Sequence, residues 1–256
     1  MPAQPWRTGK VIRIENETQA TRRYWIEVPE LESFDFEPGQ FVTLDLPIHE
    51  KPARRWRSYS IASWPDGTNV FELVIVLLEG GAGTTYIFNE VKVGHEFTFR
   101  GPQGVFTLPD TIDRDLFFIC TGTGVAPFRS MAHHIYNHHI PHENIYLIFG
   151  CRKLTDCLYG PELKELGEKI STFKYIPTFS REEPGGNNGF RTGYVHAVYE
   201  EICKNNVPGI INENGGPAVK PAYFYLCGWK NMIDEAKKRI QDLGYDRKSI
   251  HQELYG

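Results

Sequence analysis

Two different patterns of apolar and polar positions divide this chain of 256 residues. Up to about residue 105 the apolar positions form short runs rich in β-branched and aromatic residues, and turn signals such as EPGQ and PDGTN separate these runs. TTYIFNEV, residues 84–91, is the one segment of this half with a helical pattern. Because many short strands avoid open edges by closing on themselves, we predict a closed antiparallel β-barrel. The predicted strands are VIRIE, RYWIEV, QFVTLDL, SYSIAS, FELVIVLL and HEFTFRG.

In the second half, apolar strands alternate with helical segments. Repeated strand–helix units of this kind predict a parallel sheet with helices on both faces. The charged segment DTIDRD, residues 110–115, separates the two patterns, and the length of the chain allows two cores. We therefore predict two domains, a barrel over residues 1–110 and an α/β domain over residues 111–256. The predicted strand–helix pairs are LFFIC with VAPFRSMAHHIYNHH, NIYLIFG with GPELKELGEKI, FKYIPTFS with VHAVYEEICK, and AYFYLC with NMIDEAKKRIQDLG.

Composition and charge exclude several classes of protein. The chain is 41% hydrophobic and 23% charged, which is typical of a soluble globular protein. Its net charge of −4 gives no indication of a basic surface for nucleic acid. The N-terminal MPAQPWRTGK lacks the apolar segment of a signal peptide, and no later run is long enough to span a membrane. We expect a cytoplasmic protein that binds neither nucleic acid nor membrane.

The cysteines and histidines do not form a metal-binding pattern. The five cysteines are an odd number without C-x-x-C spacing, which argues against a disulfide framework, a zinc site and an iron–sulfur cluster. His134 and His138 have the i, i+4 spacing of a metal-binding pair, but no carboxylate lies between them on the same turn. We predict no metal site and interpret these histidines as part of a solvated helix face.

A glycine-rich turn joins the buried strand LFFIC to the helix that follows. Gly122, Thr123 and Gly124 lie in this turn, and Pro127 lies in the first turn of the helix. Glycines let the backbone approach a phosphate closely, and the free N–H groups at a helix start favour an anion. The third glycine of the usual dinucleotide-binding motif is absent, so a tight packing turn stays open as the alternative.

Two further strand ends carry arginine and serine side chains. Arg152 follows the strand NIYLIFG, and Ser180 and Arg181 follow the next strand, FKYIPTF. Guanidinium groups bind phosphate through paired hydrogen bonds, so these side chains suit an extra phosphate, such as the one on the 2′ position of NADP. Arginines are also common at exposed strand ends, and that alternative stays open here.

Five short motifs follow one another at a spacing that covers nearly the whole chain. The motifs are RSYS (57–60), GTGVAPFRS (122–130), SR (180–181), CG (227–228) and ELY (253–255). In this order they resemble the plant-type ferredoxin–NADP reductase superfamily. The resemblance implies a FAD-binding antiparallel β-barrel followed by an NADP-binding α/β domain. It also implies hydride transfer between NADP(H) and FAD, with single electrons passing to or from a ferredoxin or flavodoxin, which must be a separate protein.

The resemblance assigns the RSYS element to FAD. It implies that Arg57 neutralises the pyrophosphate, that Tyr59 lies along the isoalloxazine, and that the Ser60 hydroxyl reaches toward the flavin N5 atom. Ser58 lies within the same cofactor-binding element. A cation beside a flat aromatic side chain is what a phosphorylated planar cofactor needs.

A second FAD element is implied around GGAGTTYIF, which begins at Gly80. The backbone amides of Gly83, Thr84 and Thr85 would hold the pyrophosphate opposite Arg57, and the choice between the two threonines stays open. The backbone of Val74, Ile75 and Val76 would run beside the ribityl chain, although an apolar triplet is by default part of a core.

The resemblance implies that the nicotinamide binds next to the last two motifs, CG and ELY. Cys227 would pack near the C4 atom of nicotinamide and orient it, and Gly228 would admit the ring. Tyr255 would cover the flavin face that nicotinamide must reach, and Glu253 would hydrogen-bond near Ser60 and Cys227. Thr123 and Gly124 would bind the coenzyme at the glycine-rich turn. The chain departs from the family pattern in one respect, because Gly256 follows Tyr255.

The resemblance leaves three functions open. The first is a monomeric ferredoxin or flavodoxin–NADP reductase, whose Lys51, Arg54 and Arg55 could attract an acidic carrier. The second is the NADH-dependent reductase component of an oxygenase, which would lack arginines for the 2′-phosphate. The third is a non-catalytic flavin-binding module, which would have no need for Cys227, Glu253 and Tyr255.

Overall fold

The computed structural model describes residues 4–183, 190–206 and 219–255. The chain forms two compact units. The first contains the chain up to Leu108 together with Ala126–His139, and the second contains Pro109–Val125 and the chain from Ile140 onward. The domain boundary between residues 110 and 111 stays a prediction.

The first unit contains a six-stranded antiparallel sheet in the order β4-β3-β6-β1-β2-β5. Its two end strands meet where the Ala62 amide donates a hydrogen bond of 2.8 Å to the Glu72 carbonyl. The sheet thus curls into the predicted antiparallel barrel around a core that includes Phe71 and Phe99, both completely buried. The strands are β1 (Trp6–Thr18), β2 (Thr21–Glu27), β3 (Phe41–Asp45), β4 (Trp56–Ser60), β5 (Val70–Val76) and β6 (Glu96–Gln103).

Three helices belong wholly or mainly to this unit: α1 (Pro52–Arg55), α2 (Ala82–Glu90) and α3 (Val125–Asn137). The α2 helix confirms the prediction from TTYIFNEV, although it begins two residues earlier. The single turn α1 was not predicted, because four residues are too short to show a helical period.

Helix α3 groups with the barrel because of how its side chains pack. The ring of Phe128 lies 5.8 Å from the ring of Phe106, measured between centroids. The buried guanidinium of Arg129 donates to the Ala62 carbonyl at 2.9 Å and to the Glu72 carboxylate at 3.0 Å. A buried arginine needs partners of this kind, so these contacts hold the helix in place.

The second unit contains a six-stranded parallel sheet in the order β10-β9-β8-β7-β11-β12. Its strands are β7 (Asp115–Thr121), β8 (Ile145–Cys151), β9 (Phe173–Phe179), β10 (Arg191–Thr192), β11 (Ala222–Trp229) and β12 (Ile250–Tyr255). Its helices are α4 (Gly160–Lys169), α5 (Val195–Asn205) and α6 (Lys230–Asp242), and single 3₁₀ turns cover Gly122–Gly124, Leu154–Asp156 and Arg247–Ser249.

Helices flank this sheet as predicted. On one face, Phe117 and Phe224 stack at 4.8 Å and share a core with residues of α5 and α6. The next residues along the same strands, Phe118 and Tyr225, also contact each other, as expected for side chains that alternate between faces. Since all six strands are parallel, their carboxyl ends lie at one edge, where ligands of such sheets bind.

Strands β10 and β12 were not predicted. The β10 strand has two residues, and the β12 sequence IHQELY is half polar. The β12 strand forms because it pairs in parallel with β11 from Phe224 to Trp229. This pairing fixes the backbone of Ile250–Tyr255 in the sheet, whereas Gly256 lies outside the described residues. Among the described residues, no helix is long and apolar enough to cross a membrane.

Candidate active site

In the first unit, the two elements predicted to bind FAD lie against each other. A Cβ atom placed on Gly83 would stand 3.1 Å from Cγ and 3.2 Å from Nε of Arg57. The Arg57 guanidinium donates to the carbonyls of Arg54 at 3.0 Å and Trp56 at 2.7 Å, which orients the side chain. Only a residue without a side chain lets the start of α2 approach this guanidinium so closely.

The start of α2 distinguishes the two threonines. The Thr84 hydroxyl accepts a hydrogen bond from the Leu78 amide at 3.1 Å, so it fastens the preceding loop. The Thr85 side chain is exposed, but its amide already donates to the Gly81 carbonyl at 2.9 Å. The amides of Gly83 and Thr84 precede this first helical hydrogen bond and therefore suit an anion. We expect Thr85 to contribute its hydroxyl rather than its amide.

Along β4 the side chains alternate between the two sides of the barrel wall. Arg57 and Tyr59 pair with Leu44 and Val42 of β3, whose side chains are in the core, so both face inward. Tyr59 packs against that core, and burial raises the pKa of its phenol well above the usual range. A neutral ring with one face in the core is suited to stack on a planar cofactor.

Ser58 and Ser60 face the other side of β4. The Ser58 hydroxyl lies 3.0 Å from the Thr43 hydroxyl, and the Ser60 side chain is 4% exposed. At the other end of the sheet, Ile75 is buried in the barrel core, Val74 is buried outside that core cluster, and Val76 is only partly buried. The outer backbone edge of β5 is occupied at Glu72 by Ala62 and Ser63. Beyond Glu72, Val74–Val76 pair with β2 on one side only in the sheet, so their outer edge suits a chain such as ribityl.

Of the cationic residues before β4, Arg55 differs from the others. Its guanidinium binds the Asp45 carboxylate at 2.7 Å, so its charge is largely compensated. Lys51 and Arg54 are exposed. The positive charge predicted to attract an acidic carrier is therefore carried mainly by these two residues.

In the second unit, the glycine-rich turn packs directly on the end of β11. A Cβ atom on Gly124 would stand 2.4 Å from the Cys227 carbonyl oxygen, and one on Gly228 would stand 2.5 Å from Oγ1 of Thr121. Close packing thus explains these two glycines. Gly122 is different, because its φ is +55° and a Cβ atom there would meet open space. Gly122 is the residue of this turn that is best placed for a phosphate.

Thr121 is a polar residue of this edge that the sequence analysis missed. Its hydroxyl is buried and has no hydrogen-bond partner within the described residues. A buried hydroxyl without a partner is costly, which suggests that a ligand satisfies it. Its position between the buried strand LFFIC and Gly122 was the available signal in the sequence.

Cys227 is completely buried at the end of β11. Burial, with a smaller contribution from the nearby Glu253 carboxylate, raises the pKa of its thiol well above the usual range. The thiol is therefore neutral at physiological pH and is not a nucleophile. A neutral thiol suits the predicted role of Cys227, which is to pack near the C4 atom of nicotinamide and orient it, and that role stays a prediction.

Glu253 and Tyr255 reach this edge through β12. Glu253 is opposite Cys227 in the parallel ladder. The Tyr255 hydroxyl donates to the Thr123 carbonyl at 3.4 Å and is hydrogen-bonded to the Cys227 thiol. The structure thus brings together four of the residues predicted to bind the nicotinamide. The expected contacts of Glu253 with Ser60 and of Tyr255 with a flavin stay predictions.

The predicted phosphate-binding residues are adjacent at the same sheet edge. The Arg181 amide donates to the Arg152 carbonyl at 2.9 Å, and the Ser180 amide donates to the Cys151 carbonyl at 3.0 Å. Both arginine side chains are exposed, and neither makes an ion pair or hydrogen bond with the described part of the chain. Two guanidinium groups on neighbouring strand ends suit a dianionic phosphate, and their assignment to the 2′-phosphate stays a prediction.

The histidines near the end of α3 differ in exposure: His138 and His139 are exposed, as predicted for a solvated helix face, whereas His133 and His134 are partly buried, which corrects the prediction for these two. The rings of His134 and His138 are 4.4 Å apart between centroids, and the ring of His133 stacks on Trp64 at 4.0 Å. Within residues 4–183, 190–206 and 219–255 there is no group of three or more histidine, cysteine or carboxylate side chains arranged for a metal ion.

Two family models match the chain where these two half-sites lie. The oxidoreductase FAD-binding domain matches residues 8–108, and the oxidoreductase NAD-binding domain matches residues 118–238. The fold, the two half-sites and these matches define a flavin- and nicotinamide-binding oxidoreductase.

Similarity to known proteins narrows this class. The chain is 31% identical over 255 residues to ferredoxin–NADP reductase B of Sorangium cellulosum, covering 99% of this chain and 98% of that protein. The chain belongs to the ferredoxin–NADP reductase superfamily. Membership implies an electron carrier as its partner.

Longer proteins are also similar. The glycine betaine monooxygenase reductase subunit of Pseudomonas aeruginosa is 26% identical over 259 residues, and the chain spans 66% of its length. The crystal structure of a cytochrome P450 reductase from Amycolatopsis superposes with a TM-score of 0.81 at 26% identity, covering 98% of this chain and 70% of that one.

Proposed function

We propose that this protein is an NADPH-dependent FAD enzyme that exchanges single electrons with a ferredoxin or flavodoxin. The observation that carries the proposal is the pair Arg152 and Arg181, two exposed guanidinium groups whose backbones are joined by a hydrogen bond of 2.9 Å at the coenzyme edge. This pair is what distinguishes a site for NADP from a site for NAD.

The first unit offers a cradle that fits FAD. The gap between Gly83 and Arg57, which a Cβ atom would fill, lies at a helix start, and both features address a phosphate. Arg57 and the amides of Gly83 and Thr84 would hold the pyrophosphate, and Tyr59 would orient the ring system. When bound, FAD supplies the conversion between hydride transfer and single-electron transfer.

In the second unit we assign the nicotinamide to the edge formed by Thr123, Cys227, Gly228 and Tyr255. The Cys227 thiol would position the ring without reacting, since it stays neutral. Tyr255 would exclude water and give way to the nicotinamide, with Glu253 beside it in the ladder.

Steady-state kinetics with both coenzymes test the proposal. We expect NADPH to be preferred over NADH, and Arg152→Ala and Arg181→Ala each to raise the KM for NADPH about ten- to hundredfold, because a charge-assisted contact contributes about 1.5–3 kcal/mol. The KM for NADH should stay nearly constant. Arg247→Ala, which removes an exposed arginine of the turn Arg247–Ser249, is the matched control. Equal changes for both coenzymes would show that these arginines do not bind the 2′-phosphate.

The carrier is supported by the similarity to a ferredoxin–NADP reductase over nearly the full length of both proteins. The similarity to a monooxygenase reductase subunit favours a second candidate, the NADH-dependent reductase component of an oxygenase. Stopped-flow mixing of the reduced protein with ferredoxin, flavodoxin and oxygenase components separates the two. Protein that binds FAD but is reduced by neither coenzyme would instead be a non-catalytic module.

A cytoplasmic location and a monomeric state belong to the same proposal. All five cysteines are free thiols, as is usual for proteins of a reducing compartment. Size-exclusion chromatography with light scattering measures the oligomeric state directly.

A further inference from the structure

Two tryptophans and an arginine form a cluster on the outer side of the barrel wall. The Cζ atom of Arg100 lies 4.5 Å from the ring centroid of Trp56 and 5.0 Å from that of Trp6. The two indole rings are themselves 5.7 Å apart between centroids. A guanidinium group is attracted to the faces of aromatic rings, so the three side chains hold one another in place. We call this cluster the tryptophan–arginine patch.

The register of the sheet explains why these three residues meet. Arg100 of β6 is directly opposite Trp6 of β1. Phe99, the neighbour of Arg100 in its strand, is buried in the barrel core, so Arg100 and Trp6 face away from the core. Trp56 lies on the same outer side of the wall, because the next residue of β4, Arg57, faces inward.

The patch is partly exposed, and two of its hydrogen-bond donors are unused. Trp6 is 40% exposed. The Nε1 atom of Trp56 and the Nε atom of Arg100 are buried, and no group within the described residues accepts a hydrogen bond from them. A buried donor without an acceptor is costly, so a partner that brings oxygen atoms to this surface is favoured. A carboxylate is the acceptor that suits an arginine best.

The charge around the patch favours an acidic partner. Asp45, the carboxylate opposite Trp56 in the ladder, is already bound by the last arginine of α1. In the part of the chain that the structure describes, Lys51, Arg54 and Arg100 have no carboxylate partner. The exposed Glu50 offsets only one of these three charges. The surface therefore combines aromatic side chains with a net positive charge.

We propose that the acidic electron carrier docks on the tryptophan–arginine patch, with carboxylates of the carrier on Arg100 and an apolar contact on Trp6. This inference rests on the proposed function, which requires the carrier. Tryptophan and arginine are enriched among the residues that dominate the binding energy of protein interfaces, and nearby cations speed association with an acidic partner. Trp56 directly precedes Arg57, so the docking surface adjoins the residue that we assign to FAD.

Binding of the FAD-loaded protein to a purified acidic [2Fe–2S] ferredoxin, measured by calorimetry, tests the surface. We expect Trp6→Ala and Arg100→Met each to raise the dissociation constant about tenfold. Ile12→Ala is the control for Trp6, because Ile12 belongs to the same strand and is 41% exposed. Arg13→Met is the control for Arg100, because the Arg13 guanidinium also lies over a tryptophan ring, at 4.3 Å. Neither control should weaken binding.

Trp56→Phe tests the unused indole donor separately. This change keeps an aromatic ring against Arg100 and removes only the N–H group and part of the ring area. We expect it to raise the dissociation constant for ferredoxin about threefold, since one hydrogen bond is lost. An unchanged dissociation constant in Trp56→Phe would show that the carrier does not accept a hydrogen bond from this indole.

Two further measurements separate docking from a general loss of structure. The FAD content and the rate of ferricyanide reduction by NADPH should stay unchanged in all variants, because a small anion needs no docking surface. The dissociation constant of the unaltered protein for ferredoxin should rise with salt, and this rise should be smaller in Arg100→Met, since one charge contact is missing. If Arg100→Met lowers the FAD content, the exposed Trp6→Ala decides the outcome.

The results distinguish failure of the surface from failure of the function. If ferredoxin binds and Trp6→Ala and Arg100→Met leave its affinity unchanged, or weaken it no more than the controls do, the docking proposal is overturned and the proposed function stands. If neither ferredoxin nor flavodoxin binds the protein or accepts electrons from its reduced form, the proposed function fails and the docking proposal fails with it.

Discussion

Gly83 and Arg57 lie so close together that a Cβ atom on Gly83 would stand 3.1 Å from the Cγ atom of Arg57. The two residues are 26 positions apart in the chain and belong to different elements, the strand β4 and the helix α2. Their contact combines a fixed cation with the amides of a helix start. This is the combination that a pyrophosphate requires, and it makes Arg57 the first residue to test.

Arg57→Ala should weaken FAD binding about ten- to hundredfold, since one or two charge-assisted hydrogen bonds are lost. Fluorescence titration of the apoprotein with FAD measures the dissociation constant. Arg54→Ala removes an exposed cation three positions earlier and serves as the control. An FAD affinity equal to that of the unaltered protein would place the pyrophosphate elsewhere.

Cys227→Ala should slow the reduction of bound FAD by NADPH about ten- to hundredfold and leave the FAD content intact, because a misplaced nicotinamide reacts poorly. Stopped-flow absorbance follows the reduction. The unaltered enzyme should also resist alkylation at this residue, since the thiol is buried and its pKa is raised. A full hydride-transfer rate in the variant would show that Cys227 is only part of the core.

Tyr255→Ser should tighten the binding of NADP⁺ about tenfold, because no ring must then be displaced before the nicotinamide enters. A charge-transfer band should appear in the visible spectrum, turnover should fall as release slows, and discrimination against NADH should decrease. Leu254→Ser alters the neighbouring exposed residue and is the control. Unchanged affinity and spectrum would mean that Tyr255 does not cover the flavin.

Arg129→Met should lower the free energy of unfolding by about 2–4 kcal/mol, because a buried carboxylate loses one of its cations. Glu72 is 2% exposed and is bound by both Arg129 and Arg23. Urea denaturation measures the effect. Replacing Glu72 with Gln in the same variant should recover part of the loss. Arg13→Met is the control, because the Arg13 side chain is 57% exposed in its ion pair with Glu15. This change should lower the free energy of unfolding by less than about 1 kcal/mol.

Stability should fall in mild acid because of His251. Its ring stacks on Tyr225 at 4.5 Å, and burial lowers its pKa below the value in the unfolded chain. As the pH falls, the unfolded state therefore binds the proton first. The contribution of His251 to the free energy of unfolding is complete above about pH 6.5 and is lost as the pH falls through the pKa of the folded state. For one proton, this loss is at most about 1.4 kcal/mol per pH unit.

Thermal unfolding between pH 5 and 8 measures this dependence. His251→Phe should flatten the profile, and His139→Asn at an exposed position should not. The pKa values of His134 and His196 are also lowered, so the dependence of stability on pH should be weaker in His251→Phe than in the unaltered protein but should not disappear. An identical slope in His251→Phe would show that this histidine does not titrate differently on folding.

Local patterns in the sequence determined the two-domain architecture, six strands of the barrel and four strand–helix units. These features depend on hydrophobic periodicity and turn chemistry, which act over a few residues. They were confirmed because the buried strands LFFIC and AYFYLC have no stable alternative to the interior of a sheet. The sequence also suggested the cofactor motifs, whose roles stay predictions.

Contacts between distant residues were decided only by the tertiary structure. The polar segment Ile250–Tyr255 becomes a strand because β11 offers an open edge, and Gly124 is a glycine because the backbone of Cys227 lies against it. The pairing of Arg129 with Glu72 likewise groups α3 with the barrel. The hydrophobic periodicity does not predict such partners, because the sequence around a residue does not specify which distant surface will pack against it.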